Sequence, residues 1–306
     1  MQIAKANAKS NKKVVFIMGT AHCGSTLLTL VLGSHSDCLS LGEISNLPDF
    51  YRRNKPICSV CVGECSLWDR QFSNQDLQLL SRGFAERRLH RFIPLKVEKK
   101  IRRLLRTDAV FNPYSLIASR VEEKVLIDST KTVWWLEKKL AAREFDENLS
   151  PYLIHLIRDG RAVMSSYSRR KQYHGLTPQQ FGQQFGQLWK ERVTNENNFF
   201  DSFAGKKIRL RYEEFATNSE TVSRNLCNWL NIDFQPDMLS YWKHQHHTIS
   251  GNSGTRASVQ NYQNDAQPSQ SFGIRLNRKW QKVLSAEQIA AFYQATDSMN
   301  RIYEWQ

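Results

Sequence analysis

An α/β fold, a central parallel sheet flanked by helices, is what this sequence predicts. Three observations lead there. Short, continuous apolar runs recur along the chain, as in strands buried on both faces. Segments of helical character follow them, and strand–helix alternation builds βαβ units. The first run also leads directly into a glycine-containing loop, Gly19-Thr20-Ala21-His22-Cys23-Gly24-Ser25-Thr26.

Taken in order, residues 1–12 are polar and basic and read as a disordered leader before a single domain at 13–306. Val14 to Met18 is β-branched, apolar and too short for a helix, so it predicts a buried strand. Leu27 to Leu32 predicts a helix that stops near Gly33. Residues 48–66 carry Pro48, Pro56 and Gly63 and read as turns. Residues 74–106 read as helical and basic, with a break near Pro94. Val125–Ile127, Tyr152–Ile157 and Ile208–Tyr212 are the next three strands. Helices are expected over Thr132–Glu144, from Ala162 to Arg170, and around Ser219–Leu230. Residues 248–273, rich in Gly, Ser, Asn and Gln, predict a long loop, and a last helix runs from Ala286 to Tyr303.

The chain has 306 residues, 41% of them hydrophobic, which is enough for a sizeable core. Its formal charge of +14 predicts a polyanionic partner: nucleic acid, an acidic membrane face or a phosphorylated small molecule. No apolar run approaches the roughly 18 residues of a membrane span, and no cleavable leader is legible, so a cytoplasmic location is expected. In such a reducing compartment six cysteines do not predict a disulfide framework. Cys58-x-x-Cys61-x-x-x-Cys65, followed by Trp68, has zinc-ligand spacing but lacks a fourth ligand, for which Cys38 or a histidine is a candidate. The expectation is that no metal is required. Trp242, His244, His246 and His247 are expected as ordinary helix-end and cleft residues. The basic stretch Arg82–Arg106 reads either as a solvated face or as a lid for an acidic acceptor or membrane surface.

Two segments carry the chemistry. The loop Gly19–Thr26 has the spacing of a phosphate-binding Walker A loop, in which backbone N–H groups and a helix N-terminus converge on an anion. Ser25 stands where that loop has its lysine, which argues against ATP chemistry. Arg158-Asp159-Gly160-Arg161-Ala162-Val163-Met164-Ser165-Ser166 follows the third strand. Arginine forks at the C-terminal end of a parallel strand suit phosphate oxygens, although an Asp–Arg pair capping a helix explains the same residues.

Together these segments resemble the sulfotransferases that use 3′-phosphoadenosine 5′-phosphosulfate (PAPS). The 5′-phosphosulfate loop of that family matches His22-Cys23-Gly24-Ser25-Thr26-Leu27-Leu28, with His22 in place of an Arg or Lys. Its 3′-phosphate motif matches Arg158 to Ser166, with Gly160 in place of proline. Arg211-Tyr212-Glu213-Glu214-Phe215 is similar to a strand end whose tyrosine lies beside the adenine, and Gly251-Asn252 with Arg256 to a loop that closes over the nucleotide. Trp280 with Leu284, and Asp128-Ser129-Thr130-Lys131, complete the match, which spans about residues 13 to 300.

The resemblance implies the P-loop-like sulfotransferase fold. It also implies donor binding by His22, Cys23, Gly24, Ser25, Thr26, Leu27, Arg158, Ser166, Tyr212 and Arg256, and transfer to a hydroxyl or amine. Glu43, in Leu41-Gly42-Glu43, resembles the catalytic glutamate of tyrosylprotein sulfotransferases and is the expected base, with Asp128 second. A protonated His22 and Lys131 are the expected cations at the bridging oxygen. The acceptor, whether small molecule, sugar, lipid or peptide, and the oligomeric state are not legible. A P-loop-like kinase and a non-enzymatic nucleic-acid binder are the rival readings, and nucleic acid is not the expected partner.

Overall fold

The computed structural model describes residues 12–85, 112–263 and 272–305. Five parallel strands form one sheet in the order β2-β3-β1-β4-β5. They are β1 (Lys12–Met18), β2 (Cys38–Gly42), β3 (Val125–Lys131), β4 (Leu149–Ile157) and β5 (Lys206–Arg211). Val14 to Met18 of β1, the middle strand, are all but inaccessible to solvent. Helix α1 (Ser25–Leu32) follows β1, and Gly33 closes it as the sequence predicts.

The four expected strands form, and β2 is an addition. Cys38-Leu39-Ser40-Leu41-Gly42 is short and interrupted by serine, so it carries little strand signal. It becomes a strand by pairing with β3. Lys12, assigned to the leader, is the first residue of β1, and residues 1–11 lie outside the described residues. Tyr212 opens the helix Tyr212–Thr217 instead of ending β5.

The helix Ser219–Leu230 forms as expected. The segment 248–273 is not one long loop: Ser253–Gln263 is helical. Its start is fixed by Asn252, whose side-chain oxygen accepts from the Thr255 N–H at 3.0 Å, a cap that its polar composition concealed. The 25-residue helix Pro178–Ser202 has no counterpart in the expectations beyond Ala162–Arg170. Its signals are a Thr177–Gln180 capping box, proline in the first turn, and Phe181, Phe185, Trp189 and Val193 on one buried stripe. The last helix stops at Ala295, because Asp297 and Ser298 take positive φ before a 3-10 turn at Met299–Tyr303. Of the basic stretch, Arg82 lies in the helix Asn74–Phe84, and residues 86–111 fall outside the described residues.

Candidate functional site

Strand order places the site. From β1 the sheet extends through β3 to β2 on one side, and through β4 to β5 on the other. At such a reversal the loops leaving adjacent strands diverge and open a crevice at the strands' C-terminal ends. The loop after β1 carries Gly19–Gly24, and the loop after β4 begins with Arg158. The two anion motifs are thus neighbours because β1 and β4 are neighbours.

The loop after β1 is a backbone cradle. His22 and Gly24 have φ of 67° and 98°. A Cβ on Gly24 would lie 2.3 Å from the Tyr212 ring, so only glycine lets the loop rest there. The first N–H groups of α1 have no partner within the helix. Gly24, Ser25, Thr26 and Leu27 line a cleft of about 430 Å³ that is shared with Glu43, Lys131, Arg158, Ser166, Arg170 and Tyr212. Cys23 differs from its neighbours: it is fully buried, and burial pushes its thiol up to about 11. It contributes packing, while the loop backbone forms the cradle. A second cavity of about 250 Å³ shares His22, Arg158 and Ser166 with the first and adds Arg169 and Lys279.

The two arginines of the second motif part company. The Arg158 guanidinium lies 4.4 Å above the Tyr212 ring, and its Nη1 donates to the His22 carbonyl at 2.7 Å. Its Nε is buried without a partner, so the fork has donor capacity left. Arg161 instead forms an ion pair with Asp159 at 2.6 Å and stacks over Trp280 at 4.2 Å. The helix-capping explanation therefore holds for Arg161 alone. Asp159 caps the helix Gly160–Tyr167 by accepting from the Arg161 N–H. Gly160 replaces the expected proline for two reasons. Its N–H donates to Asn300 Oδ1 at 2.6 Å, and a Cβ there would sit 2.5 Å from Phe292. Proline has no N–H to donate and needs the missing space.

His22 does not stand as an isolated cation. Arg170 Nη2 donates to His22 Nε2 at 3.0 Å, while the Arg170 guanidinium stacks on Tyr167 at 3.8 Å. Burial lowers the pKa of His22, and the cations Arg170, Arg158 and Lys131 lower it further. In this arrangement His22 Nε2 accepts from a permanent cation, whereas the expected protonated form is the one a bound polyanion would favour. Arg170 went unnoticed in the sequence because it follows the helix Gly160–Tyr167 with no motif spacing to mark it.

Glu43 follows β2 directly. A Cβ on Gly42 would lie 2.4 Å from the Ile249 carbonyl oxygen, and the next N–H, that of Glu43, donates to the same oxygen at 2.8 Å. Lys131 at the end of β3 forms an ion pair with the Glu43 carboxylate through Oε1. Asp128, the alternative base, does not reach the cleft. It is buried under donors from Tyr114, Trp135 and both the N–H and hydroxyl of Thr130, at 2.6–2.8 Å. Burial raises its pKa, and every donor around it is structural.

Tyr212 forms the floor of the cleft, with its hydroxyl 3.3 Å from the Arg275 carbonyl. Gly251 and Asn252 reach the cleft, and the Asn252 N–H donates to Thr26 Oγ1 at 2.9 Å. Arg256 turns the other way. Its Nη1 donates to the Ser59 carbonyl, and it is absent from the cleft lining. The cysteine segment lies beyond it, where Cys58, Cys61 and Cys65 meet His247. His244 ends a 3-10 helix as expected, but His247 does not behave as a helix-end or cleft residue.

A family model described as "Sulfotransferase family" matches residues 14–236. Two solved structures have the same fold. The sulfotransferase domain from the Synechococcus PCC 7002 olefin synthase is 20% identical, with a TM-score of 0.57 over all of both chains. The sulfotransferase domain from the curacin biosynthetic pathway is 19% identical, with a TM-score of 0.55 over 96% of this chain and 99% of its own. A search of curated proteins found no match.

Proposed function

Since this chain belongs to the sulfotransferase family, we propose that it moves a sulfuryl group from PAPS to a hydroxyl or amine of an acceptor. The observation that carries this reading is the convergence of two anion-binding motifs and an acid–base pair in one cleft. The residues fit the donor. A glycine cradle on a helix N-terminus suits the 5′-phosphosulfate, and an arginine with a buried, unpaired Nε suits the 3′-phosphate. Ser166, which lines both cavities with Arg158, adds a hydroxyl to the 3′ side. Tyr212 offers its ring to the nucleotide. The open space continues past Arg169 and Lys279, which adds two cations beyond Arg158 for a second phosphate.

In the transfer, the acceptor oxygen or nitrogen forms a bond to sulfur as the bond from sulfur to the 5′-phosphate oxygen breaks. Glu43 takes the acceptor's proton. Lys131, freed from Glu43 as that carboxylate is protonated, and Arg170 acting beside His22, offset the charge gathering on the departing phosphate. No nucleic acid, metal ion or ATP has a part in this scheme. Purified enzyme with radiolabelled PAPS and fractionated cell extract tests it. Label is expected to move to an extract component, and no transfer with any fraction, by a protein that binds the donor product, would contradict the reading.

The Arg170–His22 contact gives a second expected outcome. Replacing Arg170 with Gln removes a neighbouring positive charge, so the pKa of His22 should rise, as read by imidazole NMR. Turnover should fall about 10-fold or more if Arg170 supplies the permanent cation. An unchanged His22 titration together with unchanged turnover would assign Arg170 to the surface.

A further inference from the structure

Beside the cleft stands a cluster of side chains that the transfer reaction does not use: Cys58, Cys61, Cys65 and His247. We propose that these four bind a structural zinc ion. Each offers one ligand atom, and the four atoms lie within 4.8 Å of one another. His247 Nδ1 is 3.4 Å from Cys61 Sγ and 3.2 Å from Cys65 Sγ. In a tetrahedral site with metal–sulfur bonds near 2.3 Å and metal–nitrogen bonds near 2.0 Å, sulfur and nitrogen corners stand roughly 3.5 Å apart. Both separations fall close to that edge.

The surroundings suit bound thiolates. The N–H groups of Val60 and Cys61 donate to Cys58 Sγ at 3.4 and 3.3 Å, and that of Trp68 donates to Cys65 Sγ at 3.4 Å. Such donors offset the negative charge that zinc-bound sulfur retains. The far ring nitrogen of His247 lies 3.5 Å from Ser66 Oγ, which gives it an outer partner. The His247 carbonyl accepts from Trp68 Nε1 at 2.6 Å, so the tryptophan that follows the cysteines holds the histidine in place. Three thiolates and one imidazole select zinc over the hard cations. Four protein ligands leave no position for water, so the role is structural.

The ion joins two distant parts of the chain. Residues 53–73 form neither helix nor strand, so the cysteine segment has little regular backbone bonding to hold it. It is tied to the segment of His247 by Ser59 N–H to the Thr248 carbonyl at 2.9 Å, and by Ser250 N–H to Ser59 Oγ at 2.8 Å. That segment continues through Ile249, which bridges Gly42 before Glu43, to Gly251 and Asn252 in the cleft. Zinc thus fastens the outer wall of the cleft. The metal content is independent of which donor the cleft accepts.

Metal analysis of the full chain, purified without chelators or an immobilised-metal column, tests the proposal. The expected result is one zinc per folded chain, with a lower midpoint of thermal unfolding after removal by a chelator. Cobalt(II) in place of zinc should give intense tetrahedral visible bands and thiolate-to-metal charge-transfer absorption. Cys61→Ser and His247→Ala should each change those bands, and the wild-type spectrum stands even where a variant fails to fold. Folded protein with substoichiometric zinc and no cobalt charge-transfer bands, or a disulfide among the three cysteines by mass spectrometry, would overturn the proposal.

Discussion

Replacing Glu43 with Gln should abolish most turnover while leaving donor binding nearly unchanged. The amide keeps the size of the side chain and can still accept from Lys131, but it cannot take a proton from the acceptor. General-base catalysis is typically worth about 10²–10⁴-fold, and a fall in kcat of that order is expected, with the dissociation constant of the donor product shifted little. Single-turnover rates with saturating PAPS measure it. Gly42 and the Ile249 carbonyl hold the backbone here, so the substitution should not move the loop. Unchanged kcat would remove Glu43 from the mechanism. A comparable loss of donor affinity would recast it as a residue that only positions Lys131.

The second large effect should fall on binding. Arg158→Ala removes the fork from beside Tyr212 and the cation from both cavities. A hydrogen bond to a charged group is worth about 1.5–3 kcal/mol, so donor-product affinity should weaken on the order of 100-fold. Arg158→Lys is the informative companion. It keeps the charge but loses both the planar fork and the bond to the His22 carbonyl, and it should recover only part of the affinity. Full recovery by lysine would mean that charge alone matters at this position.

The core of the sheet was legible because its strands are short, apolar and β-branched, and because the loops after β1 and β4 carry motifs in a fixed order. The cleft was legible for the same reason, since a reversal of strand order between β1 and β4 brings those loops together. What sequence concealed depends on contacts made at a distance. Strand β2 exists through its pairing with β3. Arg170 matters because Tyr167 stacks on it and His22 meets it, and no spacing announces either contact. Asp128 resembled a cleft carboxylate in sequence, yet Tyr114 and Trp135 claim it from inside the core. His247 lies far along the chain from Cys65, so neither segment alone shows a complete set of four ligands.

The two anion motifs also account for part of the basic excess of this chain. Arg158 of the second motif stands with Arg170 and Lys131 around one cleft, where the nucleotide bisphosphate proposed as donor would offset them. Ser25 at the position of the Walker lysine keeps the cradle while removing the cation that ATP chemistry needs.

Calorimetric titration of the purified protein with 3′-phosphoadenosine 5′-phosphate, beside ATP and adenosine 5′-phosphate, tests the central claim most directly. Stoichiometric binding of the bisphosphate is predicted, much weaker binding of the two nucleotides that lack a 3′-phosphate, and loss of that preference in Arg158→Ala. Equal affinity for ATP, or no binding of the bisphosphate by folded protein, would contradict the account.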